Sequence, residues 1–454
     1  MTGRRVSVAV VGGGVTGLVA AYRLRQQLGD DARITVVEAG SRTGGKLRTV
    51  DLAGAPVDVG AEAFIARRPE VADLIVELGL GDQLVHPAGK QPLIWSDGSL
   101  HPLPARTLMG IPSDPRSVAG LVDDRTLARI AGEPEIPLQW DRASDIDVAT
   151  LVGSRFGEQV VRRSVDPLLG GVYSGLSDSI GVRAALPSLA AALDAGAASL
   201  TEAVMKALPT PTPGPVFGTL RDGYGVLLDA LRRAARADTV LEATATGLRR
   251  EGAGWWLDPV GALDGALLAL PAPDMVHLVA EVAPELAAAA RDIELASSAV
   301  VAMALPTDAG VPDNSGILVA TGESLGAKAF TLSSRKWPHL AERNVTLVRA
   351  SYGRYRDAAV VDRTDEQLIQ MARADLATVA GVSTEPVDAF VQRWRGGLPQ
   401  YAPGHLDRVG AIEGAASGIV GLEVAGAYLR GVGVPACVAS ATMAATRLAA
   451  QVAG

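Results

Sequence analysis

A single cysteine in 454 residues excludes a disulfide framework and any cluster of thiolate metal ligands. Cys437 therefore fits a reducing compartment, and a cytoplasmic location is the expectation. The five histidines, His86, His101, His277, His339 and His405, are scattered without the spacing of metal ligands, so no metal is expected. The net charge of −8 argues against a nucleic-acid partner, which would need a basic surface. Lysine is scarce: only Lys46, Lys90, Lys206, Lys328 and Lys336 occur among 42 basic residues, and arginine supplies the rest. Long apolar runs are also missing. The uncharged run from Val6 to Tyr22 approaches the length of a short membrane span, but Gly12, Gly13, Gly14 and Gly17 interrupt it. No small-residue cleavage site follows, so neither a signal peptide nor an anchor is read here. Membrane contact is expected to be peripheral at most.

Hydrophobic residues make up 48% of the chain, enough for a large core divided into two or three domains. The stretch VAVVGGGVTGLVAAYRL, residues 8–24, reads as strand, tight turn and helix, with a strand over 6–11 and a helix over 15–28. Gly12 permits the sharp turn, Gly14 lets the backbone approach a pyrophosphate, and Gly17 lets the helix pack closely on the sheet. Gly13, Val15 and Thr16 complete the helix N-terminus, whose free N–H groups suit phosphates. The second apolar strand, in ITVVEAGSRTGGKLRTV (34–50), ends at Glu38 and Ala39. Glu38 stands where a carboxylate accepts hydrogen bonds from a ribose diol. This much is compatible with either NAD or FAD.

Arg42, Gly44, Gly45 and Lys46 follow at the spacing R-x-G-G-[RK], which resembles the flavin amine oxidase superfamily. There the paired glycines and a cation lie against the cofactor's diphosphate. VDVGAEAFI (57–65) is similar to that superfamily's next flavin-facing turn, and the resemblance implies that Gly60, Ala61, Glu62 and Ala63 border the cofactor. GLEVAGAYLRGVGVPACVASATMAATRLA (421–449) resembles its closing motif, implying contacts from Gly426, Val432, Gly433 and Val434. The middle segment TVLEATATGLRREGAGWWL (239–257) reads as a pair of strands, with Ala245 implied at the adenine, and GALLALPAP (265–273) returns the chain to the sheet. The implied cofactor is FAD. It is expected to be noncovalent, because a lone cysteine in VPACVAS is better read as packing than as an attachment point. No second dinucleotide fingerprint is present to bind NAD(P)H.

Further along, VDPLLGGVYSGLSDSIGVRAALPSL (165–189) is similar to the protoporphyrinogen and coproporphyrinogen oxidases. So are ELGLGDQLVHP (77–87), GSLHPLP (98–104), RKWPHL (335–340), RWRGGLPQY (393–401) and GHLDRV (404–409), in order over nearly the whole chain. The resemblance implies that the carbonyl of Gly171 faces the pyrrole N–H groups and that Trp394 sits at the flavin. It also implies a cation at a substrate propionate: Lys90, with Arg67 of ARRPE as a second candidate and Arg68 as an equal alternative for the inward residue. The implied fold is α/β, with a discontinuous Rossmann-like FAD-binding domain (1–85, 216–285 and 400–454). A mixed-sheet substrate domain (86–100 and 286–399) and a helical domain (101–215) complete it. PTPTPGP (209–215) reads as a stiff linker, and DEQLIQMARADLATVAG (365–381) as an amphipathic helix with solvated acids.

The implied activity is an oxygen-dependent oxidation of a porphyrinogen in heme biosynthesis, with hydride passing from a meso carbon to the flavin and hydrogen peroxide as by-product. The cofactor carries the redox chemistry, so no catalytic acid or base is assigned. The partners are then the porphyrinogen, molecular oxygen and, transiently, the next heme-pathway enzyme. Coproporphyrinogen III, with four propionates, is preferred over protoporphyrinogen IX, with two, because the chain is rich in arginine and soluble bacterial members of the family commonly use it. Two rivals are an amine oxidase and a flavin-binding tetrapyrrole carrier. The first would be expected to show an aromatic cage, whereas aromatic residues are 4% of the chain with little clustering. The second has no use for a flavin.

Overall fold

The computed structural model describes residues 5–210 and 213–453. Pro211 and Thr212, at the centre of the proline-rich linker, and the extreme ends of the chain lie outside the described residues.

Ser7–Val11 and Arg33–Val37 are buried along almost their whole length, as are all four residues of Gly265–Leu268. Continuous apolar runs of this kind belong to parallel strands covered on both faces. They form the centre of a five-stranded sheet in the order Asp238–Val240, Arg33–Val37, Ser7–Val11, Gly265–Leu268, Leu422–Val424. All four pairings are parallel. One face packs on the helices Val15–Leu28, Gly225–Ala235 and Val434–Val452 through Leu18, Leu24, Leu227, Leu231, Ala441 and Leu448. The other packs on Ala272–Val279, Pro284–Ala290 and His405–Ser417. The sheet thus gathers strands from the start, the middle and the end of the chain.

The segment 239–257 departs from the two strands read in the sequence. Asp238–Val240 is an edge strand of the parallel sheet, whereas Gly247–Glu251 and Gly254–Asp258 form an antiparallel hairpin extended by Gly261–Leu263. The loop between them, carrying Ala245, breaks the run because Glu242 N–H donates to Gly40 O (2.9 Å) and Ala243 N–H to Glu38 O (3.0 Å). Those bonds commit the chain to the end of the second strand instead of to a ladder.

The second layer is a seven-stranded mixed sheet in the order Asp388–Pro399, Leu295–Leu305, Thr346–Tyr352, Ala329–Thr331, Gly316–Val319, Leu93–Ser96, Ser99–Pro102. Alternation along Leu295–Leu305 divides its faces. Ala299, Val301, Met303 and Leu305 meet the helix Asp365–Ala380, while Ala302 and Ala304 meet the hairpin of residues 49–58 and Trp337. That helix buries Leu368, Ala372, Leu376 and Val379, one stripe at helical spacing. A capping box between Thr364 and Gln367 starts it and left-handed Gly381 (φ 68°) stops it.

The third region is a set of short helices from Asp124–Gly132 to Leu200–Ala207, wrapped around Leu151, Phe156, Leu169, Leu189 and Leu200. Its buried Glu133 accepts N–H bonds from Leu200 and Thr201 and pairs with Arg155, which satisfies the charge. Among the described residues no helix is long and apolar enough to cross a membrane.

Candidate functional site

The glycines of the first turn are fixed by contacts that no other residue permits. A Cβ on Gly17 would lie 1.8 Å from Gly12 O, and one on Gly12 (φ +104°) would lie 2.5 Å from Ala269 O. The two carboxylate oxygens of Glu38 accept from Gly13 N–H (2.7 Å) and Gly40 N–H (2.8 Å), which holds the acid at the end of the second strand beside exposed Ala39. Gly44 N–H donates to Gly13 O (2.7 Å), and a Cβ on Gly45 (φ +56°) would come within 3.0 Å of Gly14 Cα. The loop carrying Gly44 and Gly45 therefore lies directly on the fingerprint turn.

Two helices begin at this place without side-chain caps. Gly14 precedes Val15–Leu28, Gly433 precedes Val434–Val452, and neither helix has an acid in its first turn. The Thr16 hydroxyl, in the first turn of one helix, is near enough to the Cys437 thiol, in the first turn of the other, to act on its ionisation, so the two N-termini are neighbours. Their free N–H groups and positive dipole ends form an anion site. Lys46 faces it. Its side chain is accessible, yet packing around it lowers its ammonium pKa, as expected of a cation lining a deep cleft. Arg42 does different work: it donates to the carbonyls of Thr43 (3.1 Å), Leu47 (3.2 Å) and Gly45 (2.8 Å), bracing the glycine loop, and lies 6.0 Å from the Trp394 ring centre. The glycine cradle, the uncapped N-termini and Lys46 fit the diphosphate of a dinucleotide. Burial raises the Cys437 thiol pKa, the state of an inert packing residue.

The far end of the cradle is where the two sheets meet. A Cβ on Gly60 would be 2.0 Å from Lys46 O and 3.2 Å from the Trp394 ring. Trp394 Nε1 donates to Val59 O (3.1 Å), Ala61 N–H to Lys46 O (3.3 Å), and Arg349 Nη2 to Gly60 O (2.7 Å). Glu62 joins a buried cluster with Lys336 (2.8 Å), Ser333 Oγ (2.7 Å) and Arg349 (3.6 Å). Burial alone would raise its pKa, but Lys336 and Arg349 outweigh burial and hold it at about 2. Ala63 packs under the same turn. Arg349 and Ser333 were not singled out in the sequence. They reach the turn from strands and helices nearly three hundred residues away, and local pattern carries no signal of it.

Near the C-terminus, Gly426 (φ +152°) takes a backbone conformation that favours glycine, and its N–H donates to Ser440 Oγ (3.2 Å). Val432 packs against the helical region, so this motif links the parallel-sheet region to the helical one. Gly171 lies on the helix Asp166–Tyr173, exposed, with open space where a Cβ would be, next to exposed Val172 and buried Gly170.

The structure does not bring Lys90 and Arg67 into this cluster. Lys90 pairs with exposed Asp313, and Arg67 is exposed on the loop after Phe64–Ile65. Both are near the outer rim, because Ala88 N–H donates to Lys336 O (2.8 Å) and Phe217, the strand partner of Ile65, lies 5.9 Å from the Lys336 ammonium. A separate cleft of about 750 Å³, lined by Arg42, Thr43, Arg48, Leu228 and Arg232, opens behind the glycine loop. Its lining includes none of Gly12, Gly14, Gly60, Gly171 or Trp394, so the chemistry belongs to the cradle instead.

Comparison with known proteins agrees with this geometry. Residues 15–449 match the family of flavin containing amine oxidoreductases. The chain is 51% identical to the coproporphyrinogen III oxidase of Mycobacterium leprae, covering 100% of both chains. It is 29% identical to that of Bacillus subtilis, over 96% of this chain and 97% of the relative. A solved structure, a candidate protoporphyrinogen oxidase from Exiguobacterium sp. 255-15, superposes with a TM-score of 0.86 at 31% identity, over 98% of this chain and 99% of the other. Cyclohexylamine oxidase from Brevibacterium oxydans shares the fold, with a TM-score of 0.74 at 16% identity over 99% and 100% of the two chains. The α/β cradle and its match over nearly the whole length place the chain in the flavin containing amine oxidoreductase family, as a flavin-dependent enzyme.

Proposed function

We propose that the protein oxidises coproporphyrinogen III to coproporphyrin III in heme biosynthesis, using noncovalently held FAD and molecular oxygen. Three oxygens are consumed and three hydrogen peroxides released for the six hydrogens removed. The observation that carries this reading is the 51% identity, end to end, with a relative named for that oxidation. When bound, FAD supplies the redox chemistry by accepting a hydride from a meso carbon and returning the electrons to oxygen.

The chain's own residues then have positioning work. Gly12, Gly13, Gly14, Val15, Thr16 and Gly17 offer backbone donors to the diphosphate, with Gly44, Gly45 and Lys46 over it and Arg42 bracing the loop. Glu38 and Ala39 take the ribose end, and Ala245 the adenine. Gly60, Ala61, Ala63 and Trp394 shape the flavin edge, Gly426, Val432, Gly433 and Val434 its other side. Glu62 is ionised and fully committed to Lys336 and Ser333, so it fixes the turn and transfers no proton. The exposed carbonyl side of Gly171 accepts from pyrrole N–H groups and orients the macrocycle, and Arg67 and Lys90 stand at the rim toward propionates. The corresponding domain division is 1–85, 216–285 and 400–454 for FAD, 86–100 and 286–399 for substrate, and 101–215 for the helical cover. The location is cytoplasmic, with membrane contact no more than peripheral and a transient encounter with the next pathway enzyme.

Anaerobic mixing with each porphyrinogen tests the reading. Coproporphyrinogen III should bleach the yellow flavin within one turnover, and its initial rate in air should exceed that of protoporphyrinogen IX. Equal rates, or preference for the divinyl compound, overturn the substrate. Binding without bleaching favours a carrier, and a colourless protein that takes up no FAD overturns the reading altogether.

A further inference from the structure

Behind the helix of Gly171 lie two cations without a counter-ion. Lys328 is 6% exposed, and its ammonium donates only to Ser174 Oγ (2.6 Å) and Gly353 O (2.7 Å). Arg354, the next residue after Gly353, makes no side-chain hydrogen bond, and its buried Nη1 has no partner. Neither cation has a carboxylate within 4.0 Å among the described residues. The acids that face Arg354 are Asp166 and Asp357. Asp166 already accepts from Ser177 N–H (3.0 Å) and Ser177 Oγ (2.6 Å), and Asp357 is exposed. An unpaired charge removed from water is costly. Burial, with the nearby Arg354 charge adding to it, brings the Lys328 ammonium down to about 7. The place is short of one negative charge.

Its position says which charge. A Cβ on Gly170 would lie 2.9 Å from Arg354 Nη1. The guanidinium therefore occupies the notch that glycine leaves in the helix Asp166–Tyr173, one residue from the open Gly171 position. Arg354 remains partly exposed, whereas Lys328 is sealed behind it. Arg354 also lies just beyond the strand Thr346–Tyr352 that carries Arg349. Four residues separate Arg349 from Gly353, about 13 Å at ~3.3 Å per residue. Arg349 holds the Gly60 turn at one end and Arg354 stands at the other, with the Gly171 opening beside it. Lys328 ties the two sides of the notch together, joining Ser174 at the end of the helix to Gly353, and Tyr355 N–H adds a bond to Ser174 O (2.6 Å).

We propose that Arg354 binds a propionate of the macrocycle at the edge away from the Gly60 turn, and that it thereby sets preference for a tetracarboxylate over a dicarboxylate porphyrinogen. Lys328 is the positioning residue that holds the Arg354 turn against the helix. The inference rests on the substrate class proposed above and names the residue that reads it. The two porphyrinogens share two propionates and differ at the other two positions, so a cation that meets one of the differing positions acts on one substrate and not on the other. A planar guanidinium, with paired donors, matches a carboxylate.

The test compares kcat/KM for coproporphyrinogen III and protoporphyrinogen IX in the wild type, Arg354→Gln and Arg354→Lys, with bound flavin absorbance as the measure of folding. Arg354→Gln should lower kcat/KM for coproporphyrinogen III at least tenfold more than for protoporphyrinogen IX, mainly through KM. Arg354→Lys should recover part of the difference, because the charge returns without the fork. If Arg354→Gln loses its flavin, the lysine variant carries the test, with a several-fold selective loss expected. Equal losses on both substrates, or none, overturn the inference and leave a structural arginine. Wild-type protein that turns over neither substrate, or prefers protoporphyrinogen IX, overturns the proposed function instead.

Discussion

The glycine cradle and the seven-stranded sheet meet at Gly60, yet they are specified in opposite ways. In the cradle, contacts are made by backbone: Gly17 against Gly12, Gly45 against Gly14, Gly60 against Lys46. The partners in each pair stand at most 31 residues apart, and what the site requires there is the absence of a side chain. Across the cleft, contacts are made by long side chains, Arg349, Lys336 and Trp394, brought to the Gly60 turn from far along the chain. The cofactor side tolerates no added atom, whereas the substrate side depends on which atoms are placed. Substitutions of the same kind should therefore act differently in the two regions.

The widest contrast is between two glycine-to-alanine changes. Gly17→Ala places a methyl 1.8 Å from a backbone oxygen that belongs to the turn itself, so nothing flexible can yield. The expected cost exceeds about 4 kcal/mol, in the range reserved for severe core lesions, and purified protein should be flavin-free or insoluble. Gly171→Ala meets nothing within 4 Å and sits within a helix, where alanine is favoured over glycine by up to about 1 kcal/mol. It should keep its flavin and melt no lower than the wild type, while KM for the porphyrinogen rises because the added methyl narrows the opening. Absorbance ratios, thermal melts and steady-state rates on the two variants separate the regions. A Gly171→Ala enzyme with unchanged KM would remove that helix face from the substrate site.

The same contrast explains what could be read from sequence. The fingerprint strand and helix, Glu38, and the glycine loop were legible because their requirements are local and glycine has few substitutes there. The segment 239–257 reads as two strands where there are three, an edge strand and a hairpin, because local pattern does not show the tie of Glu242 and Ala243 to the Glu38 loop that parts them. Arg349, on the strand Thr346–Tyr352, carries no local signal of its role, because the Gly60 carbonyl it binds comes from nearly three hundred residues away. Arg354 follows in the turn after that strand, and only the folded chain shows that it faces the Gly170 notch. Order along the chain singles out Lys90 and Arg67 as cations, and it does not fix how far from the cradle a cation stands; both are at the rim.

A smaller effect is expected at the junction. Lys336→Met removes one partner of Glu62 and leaves Arg349 and Ser333, so the cost should be about 3 kcal/mol, the low end for breaking a buried pair. The pH dependence has a definite sign. Glu62 titrates at about 2 when folded against an ordinary value of 4.5, so it contributes stability above about 4.5 that is lost as pH falls toward 2. Denaturant midpoints at about pH 6 and about pH 3 should fall more steeply in the wild type than in Glu62→Gln. A parallel fall in both would show that the carboxylate does not anchor the turn.

The smallest effect should come at the rim. Lys90 and Asp313 form a pair in which the acid is 75% exposed, and such pairs are screened by salt and cost side-chain entropy to hold. Lys90→Ala should leave the melting temperature unchanged, so any change in turnover reports on substrate alone. Because Asp313 already neutralises the lysine, the ammonium must exchange one carboxylate for another to meet a propionate, and the net gain is small. KM should rise no more than about threefold, equally for both porphyrinogens, and the rise should vanish at high salt. A tenfold rise confined to coproporphyrinogen III would move the selective cation from Arg354 to the rim. The substrate would then be read where it enters, and the uncompensated charge behind Gly170 would need another ligand.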